Sequence, residues 1–597
     1  MSYNTVPERL QALRAAMAAA GCDGYILPSS DPHSSEYAPA HYASWVYFSG
    51  FSVENSNLVV LADEAAMWVD GRFFGAADTA LAGTGIDTMR TGVKGVPTVE
   101  EYLKDKLAGK TLGYCAETMP VKQRRALTAA LESVGGAMLP LHLEDEVWTE
   151  GRPALPATPA WLLDEQFAGR TAADKLADVR AKLTERGCTA LLVTKLDHVA
   201  WLLNLRAADV DSTPYALAFC YLDNEQAVLF MDTSRLAAEA AAQLTAAGVT
   251  LQPYDGMPAH LAALTTAQTV LADPTSLNAA LDNALRANPA LTVVEGADPI
   301  QMLKAVKNPV ELACTRQAHR KDGAAMVRFE MELERRMAAG ETLREVDVHP
   351  ILTGYRARQP EFLTASFPTI AAYGPNAAMM HYGPKPGADA AIEPKGFLLV
   401  ACGGTYRDGT TDITRTYAFG PLTDEEKLSY TRVLRCHIDV AMAVWRAGAT
   451  GGELDMLARQ PLWRHMLDYR CGTGHSVCHV GAVHEGPHSL RPHNNVEFVP
   501  GMLITDEPGI YEEGKLGIRI ENELVCVEAG ETEYGRFLKF EPVTFCPIDL
   551  RPVLTEQLTL EEKEWLNNYH ALVAQTLAPL LTEEENAWLR AKCAPIG

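Results

Sequence analysis

The chain has 597 residues, several times the usual domain length of about 100–150, so two to four domains are expected. Hydrophobic residues make up 47% of the chain and charged residues only 21%, which excludes a disordered protein. The formal charge of -24 argues against nucleic acid or an anionic membrane as a partner, because both would repel the chain.

We expect neither a targeting segment nor a membrane-spanning segment. Its first 21 residues have no basic start followed by an apolar core, and no later stretch reaches about 18 consecutive apolar residues. The 12 cysteines are spread along the chain, and Cys220 and Cys526 lie inside apolar runs. Such thiols are typical of a reduced core rather than of a disulfide framework. We therefore expect a cytoplasmic protein.

The N-terminal half contains an internal repeat. Residues 14–27 are echoed by residues 180–193, and each copy predicts an amphipathic helix, a Gly-Cys pair and then a strand. Further apolar strand candidates follow both copies, at 57–62 and 65–71 after the first and at 217–222 and 227–231 after the second. We predict two related α/β domains, although any two α/β stretches share part of this pattern.

Two breaks in composition predict the domain boundaries. The Pro-rich segment 151–159 is typical of a linker, so we place a first domain at 1–152 and a second at 160–302. The second boundary follows residue 302, where long helical patterns begin. A third domain is expected at 303–597, with a C-terminal extension from about 535.

The long helical patterns belong to this third domain. Pro309 with Glu311 fits a helix start, and the pattern that follows predicts one extended amphipathic helix ending at Gly340. Helical patterns also alternate with polar breaks from Leu558 to Ala594, where no chemistry is indicated.

Acidic and imidazole side chains gather in the third domain, in four segments: 405–416, 470–488, 505–511 and 517–523. Residues 396–402 and 410–419 predict two strands, the second with Asp412 on the same face as two threonines. A turn centred between Tyr406 and Arg407 would place position 401 opposite Asp412, with Cβ atoms about 5 Å apart. A second carboxylate would share a cation there, but the residue is Ala401.

A second carboxylate pair is intact. A turn at Gly514 would place Glu507 opposite Glu521. Together with Asp412 these residues offer hard oxygen ligands, and His475 adds one nitrogen. Such a set suits Mn²⁺, Co²⁺, Fe²⁺ or Zn²⁺ and leans toward manganese. Two cations about 3.5–4 Å apart would activate a water, so hydrolysis is the expected chemistry.

Two histidines are expected beside this cluster. His381 and His484 lie in segments bounded by Gly and Pro, where a protruding imidazole can bind a carbonyl oxygen or move a proton. Each piece alone has a plainer interpretation, since an isolated DGTTD is usually a hairpin turn and an isolated HEGP or HYGP is usually a hydrogen-bonded loop histidine.

Two further alternatives concern the cysteines. Cys471, His475, Cys478, His479 and His484 could be taken for a zinc site, but their spacing matches no common structural pattern. A thiol protease that uses Cys471 or Cys402 is a weaker alternative, because neither has an evident base and orienting group.

The motifs together match a family. From His381 to Glu521 the order HYG, DGTTDITRT, GTGH, VHEGP, TDEPG and GIRIEN resembles the creatinase/methionine-aminopeptidase ("pita-bread") metallopeptidases, in particular the three-domain Xaa-Pro aminopeptidases. The resemblance implies an α/β (α+β) fold, with two creatinase-like N-terminal α/β domains followed by a pita-bread catalytic domain. It also implies removal of the residue before proline from short peptides by a metal-bound hydroxide.

The resemblance also assigns roles within the cluster. Asp412 and Glu521 would bridge two metals, and His475 and Glu507 would complete the first. Glu507 would take the proton of the attacking water. His381, His475 and His484 would contact the substrate.

Two residues outside the cluster gain roles in the same way. Arg72, in the segment WVDGRFF, would reach the peptide, or else be a surface arginine at a strand end. Trp463 matches a tryptophan at the family's dimer contact, which implies a homodimer.

The chain departs from the family at three places. Ala401 replaces an Asp that is a terminal ligand of the second metal, Cys471 replaces a histidine, and Ser476 and Cys478 replace glycines. The first metal keeps all four ligands, whereas the second keeps only the two bridging carboxylates. We expect a metal-dependent Xaa-Pro aminopeptidase of reduced or absent activity. The alternatives are a peptide-binding pseudo-enzyme, natural or engineered by loss of one ligand, and a creatinase-like C–N hydrolase, against which the retained ligands argue.

Overall fold

The structure is a computed structural model, and it describes residues 3–597. The chain forms two compact units. The N-terminal unit runs to Leu162 and includes Arg170–Asp211 and Tyr215–Ile300. The C-terminal unit consists of Leu163–Gly169, Ser212–Pro214 and Gln301–Gly597.

The N-terminal unit is built on two six-stranded sheets of identical topology. The strands of the first are Gly24–Pro28, Asn57–Leu61, Ala65–Val69, Asp87–Arg90, Thr111–Tyr114 and Ala137–Pro140. The strands of the second are Ala190–Val193, Phe219–Asp223, Ala227–Phe230, Val249–Gln252, Gln268–Ala272 and Leu291–Glu295. Numbered along the chain, both sheets have the strand order 4-3-2-1-5-6. In both, strands 1, 2 and 3 pair antiparallel and the other pairs are parallel.

Helices connect and cover these strands: Val6–Ala20, Ser44–Ser49, Phe74–Ala80, Val99–Lys106, Val121–Glu132, Leu143–Val147, Ala172–Glu185, Leu196–Leu203, Ala238–Ala246, Met257–Ala263 and Ala279–Ala287. A short strand pair, Trp161–Leu162 with Leu205–Arg206, lies apart from both sheets. The repeat predicted from sequence is confirmed, because each copy gives the helix, the first strand and the following antiparallel strands at the expected places.

The C-terminal unit is organised around one long helix, Pro309–Ala338. The Asn308 side chain accepts the backbone N–H groups of Val310 and Glu311, and Glu311 returns a hydrogen bond to the Asn308 N–H. This capping box satisfies N–H groups that a helix start leaves open. The other helices are Glu165–Ala168, Ile300–Ala305, Glu345–Arg356, Asp424–Ala441, Gly451–Trp463, Leu560–Leu577 and Glu583–Lys592.

The strands of this unit form small antiparallel sheets. One joins Ile370–Tyr373, Phe397–Cys402 and Ile413–Ala418, and another joins Val444–Arg446, Gly535–Pro542, Asn522–Thr532 and Leu503–Asp506. Three more pairings are Gly509–Glu512 with Leu516–Arg519, Gly474–Ser476 with Glu485–Leu490, and Leu343–Arg344 with Ala391–Ile392. The last sheet joins Phe362–Ala365, Gly404–Tyr406 and Gly409–Thr410.

We call the strands Phe397–Cys402 and Ile413–Ala418 the first carboxylate hairpin, and here the predicted register was wrong. Ala401 pairs with Thr414, not with Asp412. The turn is centred one residue later, between Arg407 and Asp408, because Tyr406 pairs with Gly409. Lys321 of the long helix binds the buried Asp408 carboxylate at 2.7 and 2.8 Å, and this contact fixes the turn.

The strands Gly509–Glu512 and Leu516–Arg519 form the second carboxylate hairpin, and its predicted register is the observed one. Gly509 pairs with Arg519, so the same register continued outward sets Glu507 opposite Glu521. Gly514 occupies the turn with a φ of 73°, a left-handed conformation that glycine adopts without strain.

Among residues 3–597, no helix is long and apolar enough to cross a membrane.

Candidate active site

Three of the predicted metal ligands converge. Asp412, His475 and Glu521 each offer a ligand atom, and these atoms all lie within 4.8 Å of one another. His475 Nε2 lies 3.5 Å from Asp412 Oδ2 and 3.2 Å from Glu507 Oε1, so the fourth predicted ligand joins the same cluster. Residues from the first carboxylate hairpin, the strand Gly474–Ser476 and both ends of the second carboxylate hairpin therefore meet at one point.

Hydroxyl groups orient the two glutamates. Thr414 Oγ1 donates to Glu521 Oε2 at 2.5 Å, and Thr505 Oγ1 donates to Glu507 Oε1 at 3.2 Å. Thr414 belongs to the first carboxylate hairpin and Glu521 follows the second, so this bond joins the two hairpins. The remaining oxygen of Glu521, Oε1, is buried without a hydrogen-bond partner among the described residues.

The orientation of His475 also suits a ligand. Its Nδ1 lies 3.1 Å from the carbonyl oxygen of Ser476, which favours a proton on Nδ1, so Nε2 is the nitrogen that would bind a cation in place of its proton. Its backbone N–H donates to Thr505 Oγ1 at 2.9 Å. Nε2 is the atom that faces the carboxylates.

The electrostatics of the cluster are those of a cation site. Burial, then the charges of Asp412 and Glu507, raise the pKa of Glu521 well above its usual value. Burial lowers the pKa of His475, but hydrogen bonds to Asp412 and Glu507 outweigh it and raise that pKa well above normal. Burial raises the pKa of Glu507, but the hydrogen bond from His475 together with the charges of His475 and Arg519 outweighs it, and the net shift is downward. A divalent cation would relieve the carboxylate repulsion and satisfy the orphaned Oε1, so these residues fit one.

The two remaining histidines differ in how they relate to the cluster. His484 lies edge-on to His475, with ring centroids 4.2 Å apart and an interplanar angle of 86°. His381 lies half-buried in a turn closed by the hydrogen bond from Tyr382 N to Met379 O, at 3.1 Å.

Comparisons with known proteins place the chain. Residues 313–528 match the model for metallopeptidase family M24, and 536–596 match the C-terminal region of peptidase_M24. Residues 9–142 and 151–311 match two models of the creatinase/prolidase N-terminal domain. "Probable Xaa-Pro aminopeptidase P" of Laccaria bicolor is 37% identical over 99% of this chain and 93% of its own length. "Aminopeptidase P2" of Arabidopsis thaliana is 36% identical over 99% of this chain and 89% of its own.

A solved structure agrees over the whole chain. The X-prolyl aminopeptidase of Caenorhabditis elegans, described as a cytosolic enzyme with a di-nuclear active site, matches with a TM-score of 0.94 at 32% identity and covers 100% of both chains. The chain belongs to the M24 aminopeptidase P family. The expected fold, two creatinase-like domains and a pita-bread catalytic domain, is confirmed.

The surroundings of Ala401 are apolar on one side. Ala401 is 2% exposed and packs with Ala372, Ala377 and Leu399. It lies opposite Thr414, the residue that holds Glu521, so it borders the cluster on an apolar side. The side of the site where the family resemblance places a further Asp offers no carboxylate from this position.

Arg72 lies in the N-terminal unit, just after the strand Ala65–Val69. Its guanidinium forms a bidentate pair with Asp70, at 3.0 Å from Nε to Oδ1 and 2.7 Å from Nη2 to Oδ2. The side chain is 23% exposed. The pair fixes the direction of the guanidinium, and the role of Arg72 toward a peptide stays a prediction.

The cysteine alternatives find no support in the structure. Burial raises the pKa of Cys471 to about 12 and that of Cys402 to about 11, so both are neutral thiols near pH 7. Cys478 Sγ donates to Glu485 Oε2 at 2.8 Å, and His479 Nε2 lies 2.9 Å from the carbonyl oxygen of Phe167. Over the part of the chain described, the converging group that could hold a metal contains no cysteine.

Three residues of the site were missed from the sequence. Arg519 Nε donates to Thr414 Oγ1 at 3.0 Å and lies 3.8 Å from Glu507 Oε2. Glu523 Oε1 accepts the Asp412 N–H at 2.6 Å and lies 3.3 Å from His319 Nε2. The sequence does indicate Arg519 and Glu523, because residues two apart along an extended segment share one face, and both lie two residues from Glu521. No local pattern marks His319, which reaches the site from the long helix.

Proposed function

We propose that the chain is a metal-dependent aminopeptidase that hydrolyses the N-terminal Xaa-Pro bond of short peptides. The observation that carries the proposal is the convergence of Asp412, His475, Glu507 and Glu521 in a member of the aminopeptidase P family. The relatives carry the Xaa-Pro or X-prolyl name, and their resemblance to this chain extends over nearly its full length.

The metal we propose is Mn²⁺, with Co²⁺ or Zn²⁺ as alternatives. Asp412, His475, Glu507 and Glu521 would hold it, and three oxygen donors with one nitrogen favour manganese. When bound, a divalent cation lowers the pKa of a coordinated water from 15.7 to about 7–9, which supplies a nucleophile at neutral pH. Because Ala401 offers no ligand, we propose about one tightly held cation per chain.

The side chains around the proposed cation site would have different roles in hydrolysis. Glu507, whose Oε1 lies 3.2 Å from His475 Nε2 within the cluster, takes the proton of the attacking water. His484, edge-on to His475, stabilises the oxyanion that develops on the Xaa-Pro carbonyl. His381, His475 and Arg72 contact the peptide. These roles follow the family resemblance.

Selectivity for proline has a physical basis in the substrate. The Xaa-Pro bond is a tertiary amide without an N–H, and proline has a fixed φ of about −65°. A site built for that shape needs no acceptor for the missing N–H, so a secondary amide would leave its own donor unpaired on binding.

We also propose a homodimer formed through an exposed apolar patch at the end of the helix Gly451–Trp463. Trp463 is 41% exposed and Met466 is 96% exposed. Met456, Leu457 and Leu467 are exposed nearby in sequence, at 54%, 39% and 41%. Exposed apolar side chains gathered in this way usually mark an interface.

Two further proposals concern the domain boundaries and the cellular location. We infer domains at 1–152, 160–302 and 303–597, in accord with the family models that match 9–142, 151–311 and 313–528. We infer a cytoplasmic location, in accord with the description of the C. elegans relative as a cytosolic enzyme.

A second candidate function is supported by Ala401 alone. A chain that kept the cleft but lost one ligand could bind Xaa-Pro peptides without cleaving them. The retained orienting groups, Thr414 and Thr505, favour the peptidase over this binding protein, because a site released from catalysis need not keep them.

The test compares two peptides that differ at the second residue. The purified protein with excess manganese is incubated with an Xaa-Pro-Yaa tripeptide and with the matched Xaa-Ala-Yaa tripeptide, and release of free Xaa is measured. The peptidase proposal expects release from the proline peptide only. Tight binding of that peptide by calorimetry without release would favour the pseudo-enzyme, and release from both peptides would remove the proline assignment.

A further inference from the structure

A buried cluster lies directly beside the active-site histidines and has Glu485 at its centre. Lys304 Nζ reaches Glu485 Oε2 at 2.5 Å, and Lys307 Nζ reaches Oε1 at 2.5 Å. Ser476 Oγ donates to Oε1 at 3.1 Å, and Cys478 Sγ donates to Oε2 at 2.8 Å. Four donors converge on one carboxylate, and the three charged side chains are at most 2% exposed.

The two lysine charges keep the Glu485 carboxylate ionised. Burial raises the pKa of Glu485, but the two lysine charges outweigh it and lower the pKa to about 2. The carboxylate is therefore ionised at any pH near neutrality. Each oxygen receives one ammonium and one weaker donor, which leaves little rotational freedom to the side chain.

The cluster is linked through the backbone to both imidazoles of the site. Ser476 pairs with Glu485 in the small sheet Gly474–Ser476 with Glu485–Leu490. His475 precedes Ser476 on one strand, and His484 precedes Glu485 at the start of the other. A shift of the Glu485 side chain would therefore move the two rings, now 4.2 Å apart, relative to each other.

The lysines anchor that sheet to the main helix of the unit. Lys304 lies in the helix Ile300–Ala305, and Lys307 directly precedes the N-cap of the helix Pro309–Ala338. Lys307 Nζ also donates to the carbonyl oxygen of Lys304 at 2.9 Å, and its backbone N–H donates to the carbonyl oxygen of Gly501 at 3.0 Å. The anchor is rigid at both ends.

We propose that Glu485 is a positioning residue which, held by Lys304 and Lys307, fixes His484 against His475 in the geometry that turnover needs. This inference rests on the proposed peptidase function. It also gives Ser476 and Cys478 a use, because these departures from the family glycines supply two of the four donors to Glu485.

A buried ion cluster of this kind is poorly explained by stability alone. The desolvation of three charges offsets much of their attraction, so such clusters add little net stability and act better as geometric restraints. A displacement of about 1 Å at a reacting group can cost about 100-fold in rate. A residue that never touches the substrate can therefore control kcat.

The test is a double-mutant cycle. Glu485→Asp keeps the charge but withdraws the carboxylate by one methylene, so kcat should fall about 10- to 100-fold, as for outer-shell residues of metal sites, with KM and metal content unchanged. In a His484→Ala background the same substitution should lower kcat by less than about twofold, because its effect passes through His484. Full and independent losses in both backgrounds would overturn the inference.

A second variant guards against loss of folding. Lys304→Met leaves one lysine and one carboxylate, so the remaining pair is balanced in charge. It should repeat the loss of kcat and the same dependence on His484. A lowered melting temperature with unchanged kcat would assign the cluster to stability and overturn the proposal.

Failure of the peptidase function would be recognised separately. Turnover by the unmodified chain with independent losses in the cycle overturns the positioning role alone. Binding of an Xaa-Pro peptide without turnover, measured by calorimetry, overturns the peptidase proposal and the positioning role together. Absence of both binding and turnover would overturn the inference together with the proposed function.

Discussion

Replacing Ala401 by Asp is the perturbation that bears most directly on the site. Ala401 lies opposite Thr414, and cross-strand partners have Cβ atoms about 4.5–5.5 Å apart. Thr414 Oγ1 holds Glu521 at 2.5 Å, so a carboxylate at 401 would come beside Glu521. Asp412 lies two residues before Thr414, just ahead of the strand, at a diagonal distance of about 7 Å.

The sign of the effect depends on metal. Without a cation, Ala401→Asp adds a carboxylate to a buried acidic cluster in which burial and neighbouring charges already raise the pKa of Glu521 well above its usual value, so the fold should be destabilised. With manganese at about 100 times its dissociation constant, binding to a newly completed second site would return about 2.7 kcal/mol. We expect metal content to rise toward two per chain and Xaa-Pro cleavage to rise at least about tenfold, or about 1.4 kcal/mol of barrier.

Ala401→Asn is the matched control. It has the size of Asp without the charge, so it reproduces any overpacking against Ala372 and Ala377, which costs typically about 1–3 kcal/mol. Both variants are assayed for bound metal, for cleavage of one Xaa-Pro peptide in excess manganese, and for thermal stability with and without metal. If the Asp variant gains no more metal or rate than the Asn variant, position 401 is not the missing ligand and the reasoning fails.

Further substitutions test His484 in the site, Trp463 in the exposed patch and the buried Glu330 of the long helix. His484→Ala should lower kcat by about 10²–10³-fold with metal content unchanged, the cost of removing one oxyanion donor, and an unaltered rate would make His484 structural. Trp463→Glu should convert a dimer into a species of one 64.9 kDa chain by sedimentation, whereas a monomeric unmodified chain would disprove the dimer. Burial raises the pKa of Glu330 from the ordinary 4.5 to about 7 despite Lys592, so the folded protein favours the protonated carboxyl. The free energy of unfolding is therefore highest below about pH 4.5 and decreases as the pH rises to about 7. Glu330→Gln should remove this pH dependence of the free energy of unfolding, which amounts to up to about 3 kcal/mol. Denaturant unfolding at about pH 5 and about pH 7.5 measures it, and an unchanged pH dependence would mean that another group causes it.

Local patterns were sufficient where local forces set the geometry. The second carboxylate hairpin has Gly514 in its turn, and the glycine conformation alone fixes which residues face each other, so Glu507 and Glu521 were paired correctly. The long helix was predicted from Pro309, Glu311 and the amphipathic pattern that follows them, and the structure adds the capping box at Asn308. The repeated α/β domains followed from periodicity in the same way.

Tertiary contacts decided what the sequence left open. The turn of the first carboxylate hairpin is set by the buried Lys321–Asp408 pair, whose members are far apart in sequence, so the register at Ala401 was displaced. The Glu485 cluster likewise draws its lysines from Ile300–Ala305 and the segment after it. His319 lies on the long helix and contacts Glu523, but no pattern in the sequence of that helix marks it as part of the site. Such partners are not visible in any single segment.

The most direct test of the account is the metal content of the active protein. After dialysis against metal-free buffer, elemental analysis is made on a sample whose cleavage of an Xaa-Pro peptide has been measured. The account predicts turnover with about one tightly held cation per chain, because Asp412, His475, Glu507 and Glu521 complete one site and Ala401 leaves the second without a terminal ligand. Two tightly held cations per chain would contradict it.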